Sequence, residues 1–159
     1  MLSGEHPTVG ELRTWVLENA YPAVVPFAEQ YMDLMFSPKR PGFEVHVLLF
    51  LDSSATGVDT ILEAFREQAH RFMGRCVFIA VDVSTEGMTE FTENLLSDLG
   101  VQAGQSPKMM IIKSARTKIA FYDPVAGAQE GFTSESIQRF VHNYFEGDIT
   151  PSRLIEVPP

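Results

Sequence analysis

The chain has 159 residues, enough for one domain with a real hydrophobic core, and its 45% hydrophobic and 21% charged residues are ordinary globular proportions. A formal net charge of -9 excludes nucleic-acid binding, which needs clustered Lys and Arg, and suits an anionic membrane surface no better. Cys76 is the only cysteine, so this chain alone can form neither an internal disulfide nor a Cys-x-x-Cys pair.

In chain order, Val9 to Asn19 predicts a short helix with Leu12, Trp15 and Val16 facing inward. Val24, Val25 and Phe27 form a brief apolar stretch next to Pro22 and Pro26. A helical pattern follows, with Phe27, Tyr31, Met32, Met35 and Phe36 on one side, until Pro38 and Pro41 end it. Phe43 to Leu51 is nearly continuous in apolar residues and reads as a strand buried on both faces. After Thr56-Gly57, Val58, Ile61, Leu62, Phe65, Ala69, Phe72 and Met73 recur at three- and four-residue steps, an amphipathic helix stopped by Gly74.

Cys76 to Val83 makes a second buried strand. Met88, Phe91, Leu95 and Leu99 then fall in one helical arc before Gly100. Met109 to Ile112 is a third strand after Pro107, and Thr117 to Tyr122 a fourth, close enough to be its hairpin partner. Thr133 can cap a last helix carrying Ile137, Phe140, Val141, Tyr144 and Phe145, stopped by Gly147. The tail from Asp148 to Pro159 reads as a Pro-rich linker. Alternation of strands and helices demands parallel strands covered on both faces, and the closing pair is antiparallel. That order is the α/β thioredoxin fold: a central mixed sheet with helices on both faces, here lacking Cys-x-x-Cys.

In a redox-active version of this fold the thiol pair sits where the second strand meets its helix, whose N-terminus lowers the thiol pKa. Here that junction reads Leu51-Asp52-Ser53-Ser54-Ala55-Thr56-Gly57. Its hydroxyls are expected to form turns and an N-cap. Cys76, inside an apolar strand, reads as a packed core cysteine. His6, His46, His70 and His142 show no metal-ligand spacing; His46 starts a strand, His70 and His142 sit on helices, and such residues read as structural or solvated. Neither a Gly-x-Ser-x-Gly elbow nor a Gly-rich phosphate loop is present. Asp52 and Asp82 end adjacent strands, where carboxylates usually serve turns, and Glu90, Glu93 and Asp98 lack EF-hand spacing. No catalytic residue, metal or cofactor is expected. Ser106-Pro107 stands where this fold carries a cis-proline, which makes Pro107 a structural cis-proline candidate.

Several segments resemble the b′ domain of protein disulfide isomerases: Ala23 to Gln30, His46 to Leu51, Val77 to Asp82, Ser106-Pro107 with Met109 to Ile112, and Tyr144 to Gly147 with Ile149 and Pro151. They occur in family order from about residue 20 to the end. The resemblance implies a redox-inactive domain that holds unfolded polypeptide in a hydrophobic pocket between the first and third helices, while flanking thioredoxin-like domains carry out disulfide exchange. It places that substrate-binding pocket at Phe27, Met32 and Phe36, faced by Leu95 and Leu99, with Ile119 near the hairpin. Met and Phe at such a surface adapt to many partners.

Residues 1–20 are then the end of a preceding domain or a linker with a short helix, 21–147 the b′ domain, and 148–159 the start of a C-terminal linker that folds back over the pocket in related proteins. Asp98 stands where the common isomerases carry an aromatic residue and Ser114 where they carry an aliphatic one, which makes the rim more polar. The loops at Ser37 to Gly42 and Gly127 to Gly131 also differ in length.

The implied location is the endoplasmic reticulum lumen. Met1 to Pro7 lacks a signal pattern and the C-terminus carries no retrieval tetrapeptide, so both ends are expected to be cuts in a larger chain. The expected partners are unfolded or partly folded polypeptides and the flanking domains, with no membrane insertion and weak self-association through an uncovered pocket. Two alternatives stand beside this reading. One is a free-standing chaperone, scaffold or calsequestrin-like protein, although calsequestrin-like acidity is far denser. The other is an enzyme using Cys76 alone, which requires an exposed, low-pKa thiol.

Overall fold

The computed structural model describes residues 23–37, 42–115, 117–124 and 132–156. The helix expected over Val9 to Asn19, the Gly127 to Gly131 loop and most of the loop after Ser37 lie outside the described residues.

The two longest apolar runs become the centre of the sheet. β1 (Val24–Pro26) pairs in parallel with β3 (Val77–Asp82), and β3 pairs in parallel with β2 (Val45–Leu51), which is buried at every position. β4 (Lys108–Ser114) runs antiparallel to β2 on its other side, and β5 (Lys118–Tyr122) antiparallel to β4. With a last strand β6 (Arg153–Glu156), the sheet order is β1-β3-β2-β4-β5-β6. β6 falls inside the stretch read as a linker and adds an antiparallel edge strand to β5. Ser152 starts that pairing: its amide donates to the Phe121 carbonyl and its hydroxyl to Asp123 Oδ2, at 2.8 and 2.6 Å.

Side chains alternate across the strands, so the sheet feeds two cores. Val47, Leu49, Phe78 and Ile111 point toward α2 (Val58–Arg71) and α4 (Ser134–Glu146), where they meet Phe65, Ala69, Ile137 and Val141. Leu48, Phe50, Ile79 and Met110 point the other way, toward α1 (Met32–Phe36) and α3 (Glu90–Leu99), and meet Met35 and Leu96.

The helix ends show which local signals were decisive. Gly100 and Gly147 end α3 and α4 in the left-handed conformation. α3 is capped by Thr89, whose hydroxyl accepts the Thr92 amide. α4 opens with a reciprocal box: the Ser136 amide donates to Thr133 Oγ1 at 3.1 Å and the Thr133 amide to Ser136 Oγ at 2.9 Å. Thr133→Ala removes the first bond and should cost about 1 kcal/mol in urea unfolding, whereas Thr133→Ser keeps the acceptor and should cost much less. The hydroxyl N-cap expected for α2 is not formed. Gly57 occupies the cap position at φ 83° with no side-chain bond, one residue past Thr56, while Ser53 and Ser54 bond to carboxylates in the turn before it.

Candidate functional site

At the β2–α2 junction a hydrogen-bonded clamp stands where the redox version of the fold holds its thiols. The Leu51↔Asp82 register brings the ends of β2 and β3 together. Ser53 donates to Asp82 through both amide and hydroxyl, at 3.2 and 2.8 Å, and the Ser84 amide donates to Asp82 Oδ1 at 3.0 Å. Burial works to raise the Asp82 pKa, but the bonds from Ser84 and Ser53 outweigh it and hold the carboxyl below the usual carboxylate range. Asp52 instead accepts from the Ser54 amide and hydroxyl. The two carboxylates thus serve separate turns. The Ser106-Pro107 peptide is cis, and the Phe50↔Lys108 register sets it beside the end of β2.

Cys76 is 3% exposed and packs in the α2/α4 core, which is not the accessible thiol that single-cysteine catalysis requires. Among the described residues no three His, Cys, Asp or Glu side chains gather as a metal site. An open depression of about 270 Å³ is lined by Glu135, Gln138, Arg139 and His142. Their spacing marks it as the outer face of α4 alone.

The α1/α3 side carries the apolar candidates. Met32 and Phe36, one turn apart on α1, are 44% and 46% exposed, while Met35 between them is fully buried. The single-sided arc read from the sequence therefore splits: Met35 enters the core and its neighbours look outward. Phe27 precedes the helix, half-buried, and its ring stacks on Phe91 of α3 at 4.6 Å. That contact ties Phe27 to α3 as a wall. Leu95, Leu99 and Ile119 are half-buried and pack on the same cluster.

Cross-strand register explains how the floor is built. His46 faces Ile112, Ile112 faces Phe121, Ser114 faces Ile119, and Ile119 faces Ile155 of β6. Opposed residues project to the same face of a sheet, so these side chains line one strip. Asp98 is exposed on α3 and Ser114 is half-buried in the strip.

His46, read from the sequence as a structural or solvated residue, is the participant whose partners sequence reasoning did not supply. It is buried, its ring lies 5.1 Å from that of Phe36, and Nε2 is 2.8 Å from the Met35 carbonyl oxygen. A carbonyl only accepts, so this nitrogen carries the hydrogen. The bond satisfies a carbonyl in the last turn of α1, one of those a helix end leaves without an intrahelical partner. His46 thus anchors the short helix that presents Met32 and Phe36. The local sequence offered one signal: a polar residue inside an otherwise apolar buried strand.

The comparisons agree with this architecture. A thioredoxin-like domain model matches residues 2–143. Protein disulfide-isomerase A2 of Homo sapiens is 28% identical over 152 residues, covering 95% of this chain and 27% of that protein. Protein disulfide-isomerase of Oryctolagus cuniculus is 28% identical over 154 residues, covering 96% of this chain and 28% of that protein. The chain therefore spans little more than a quarter of the curated relatives it matches. Among solved structures, zinc-bound human ERp44 superposes with a TM-score of 0.59 at 15% identity, covering 93% of this chain and 38% of that one. The J-Trx1 fragment of ERdj5 gives 0.51 at 17% identity, covering 80% and 52%. At those identities the likeness speaks for the fold alone. With one cysteine, a mixed sheet in thioredoxin order and protein disulfide isomerases among its relatives, the chain belongs to the thioredoxin-like domain family.

Proposed function

We propose that this is a b′-type domain: a redox-inactive module that binds unfolded or partly folded polypeptide within a protein disulfide isomerase-like multidomain protein of the endoplasmic reticulum lumen. The observation that carries the reading is the pair Met32 and Phe36, left exposed above an apolar strip while the surrounding core is closed. Large apolar side chains exposed together on a soluble domain favour contact with another apolar surface. The serine–aspartate clamp where thiols would stand supports the redox-inactive half of the proposal. The isomerase relatives support the parent, in which flanking thioredoxin-like domains supply the dithiols.

Titrating an unfolded apolar peptide into the labelled domain tests the site. Amide shifts should concentrate on α1, α3 and the β4–β5 strip. Phe36→Ala should weaken binding about tenfold, since burying the rest of one aromatic ring contributes on the order of 1.5 kcal/mol. Its stability should change little. Shifts confined to α2 and α4, or unchanged affinity in the variant, would refute the assignment.

A further inference from the structure

The two helical layers differ in charge. α2 mixes Asp59, Glu63 and Glu67 with Arg66 and Arg71, and α4 mixes Glu135 and Glu146 with Arg139. On the other side, residues 23–37 and 83–106 contain Glu29, Asp33, Glu86, Glu90, Glu93 and Asp98 and no Lys or Arg. All six of these carboxylates are exposed, and none has an ion-pair partner among the described residues. The bases on this side among the described residues are Arg153, at the β6 edge with its guanidinium over the Phe121 ring, and Lys108, which opposes Phe50 and pairs with Asp123 at 4.0 Å. Lys39 and Arg40 lie outside the described residues.

Helix stability explains only part of this pattern. Glu90 and Glu93 occupy the first turn of α3, where the helix dipole favours them. Asp98 occupies the last turn of the same helix, where the dipole disfavours an anion, and that turn carries no base. Glu29 opens a 3-10 turn (Glu29–Tyr31) that leads into α1, and Asp33 stands in the first turn of α1. Each sits three residues before an exposed apolar side chain, Met32 and Phe36 respectively, and so borders it on the helix surface. Asp98 likewise lies three residues beyond Leu95. Exposed carboxylates therefore edge both walls of the apolar strip, and Asp98 does so at a cost to its own helix.

Resting on the peptide-binding reading above, we infer that this face selects apolar segments flanked by Lys or Arg over those flanked by Asp or Glu. The apolar contact supplies short-range affinity. The acidic walls supply discrimination and faster encounter, both sensitive to salt.

The test uses three peptides with one Leu/Phe-rich core, flanked on each side by two Lys, two Gln or two Glu, titrated into the 159-residue chain. At about 0.02 M NaCl the Lys-flanked peptide should bind about fivefold tighter than the Gln-flanked one, and the Glu-flanked one more weakly than either. At about 0.5 M NaCl the three should converge. Glu29→Gln combined with Asp33→Asn and Asp98→Asn should bring the Lys-to-Gln affinity ratio at low salt toward one. A general loss of folding or of the apolar contact does not move that ratio. Equal binding of the three peptides at low salt, or a Lys preference untouched by the triple variant, overturns the inference and leaves the peptide-binding reading standing. Binding of none of the peptides overturns both.

Discussion

Truncating Phe65 to alanine should cost about 3–5 kcal/mol of folding stability, close to the whole margin of a domain this size. Phe65 is the fully buried ring of α2, and its centroid lies 4.8 Å from that of Phe78 on β3. Removing it leaves a cavity between helix and sheet that Val47, Leu49 and Ile137, all fully buried, are not free to fill. Phe65→Leu keeps most of the volume and should lose less than about 1.5 kcal/mol. Urea unfolding followed by far-ultraviolet circular dichroism gives both values. A loss below about 1 kcal/mol for Phe65→Ala would mean that the α2/α4 side is not packed as described. This core lies across the sheet from Met32 and Phe36, so Phe65→Leu should leave peptide affinity nearly unchanged.

The residues that made this fold legible are those whose local pattern and tertiary role coincide. β2 and β3 announce themselves because a strand covered on both faces must be apolar at nearly every position. α2 and α4 do so because each buries one stripe, and Thr133, Gly100 and Gly147 mark helix ends through backbone geometry that few other residues satisfy. β6 had no such signal. Arg153-Leu154-Ile155-Glu156 is too short for a period, follows Pro151 and leaves Leu154 52% exposed. What makes it a strand is its pairing with β5, a tertiary fact.

The candidate site was legible in its parts and not in its arrangement. Met32, Phe36, Leu95 and Ile119 are apolar whether they line a core or a pocket, and only exposure separates Met32 and Phe36 from Met35. His46 is harder still. Its partner is a backbone carbonyl on an element that the sequence pattern does not set against β2. The α2 cap failed as an expectation for a related reason. Ser53 and Ser54 are good capping residues, yet the helix starts only after Gly57, and their hydroxyls bond to Asp82 and Asp52 in the preceding turn.

A matched pair of glycine substitutions would separate backbone conformation from packing in this fold, and Gly42→Ala should be much the worse of the two. Gly42 and Gly57 have nearly equal positive φ, 77° and 83°. A Cβ in that region costs about 1–2 kcal/mol. At Gly57 nothing lies within 4 Å of a Cβ, so Gly57→Ala should lose only that amount. At Gly42 the same Cβ would fall on the carbonyl carbon of Arg75 and the amide nitrogen of Cys76. Those atoms are backbone at the entrance to β3 and have no rotamer by which to move aside. Gly42 also holds the entrance to β2, its carbonyl accepting the Val45 amide at 3.1 Å. Relief of the overlap must therefore shift the starts of both central strands, and the total loss should exceed about 3 kcal/mol, beyond an ordinary surface substitution. Equal losses at the two positions in urea unfolding would show that the approach of Gly42 to Arg75 and Cys76 is not part of the native packing. A several-fold larger loss at Gly42 would confirm that the loop before β2 is seated on β3 by backbone contact, where only glycine fits.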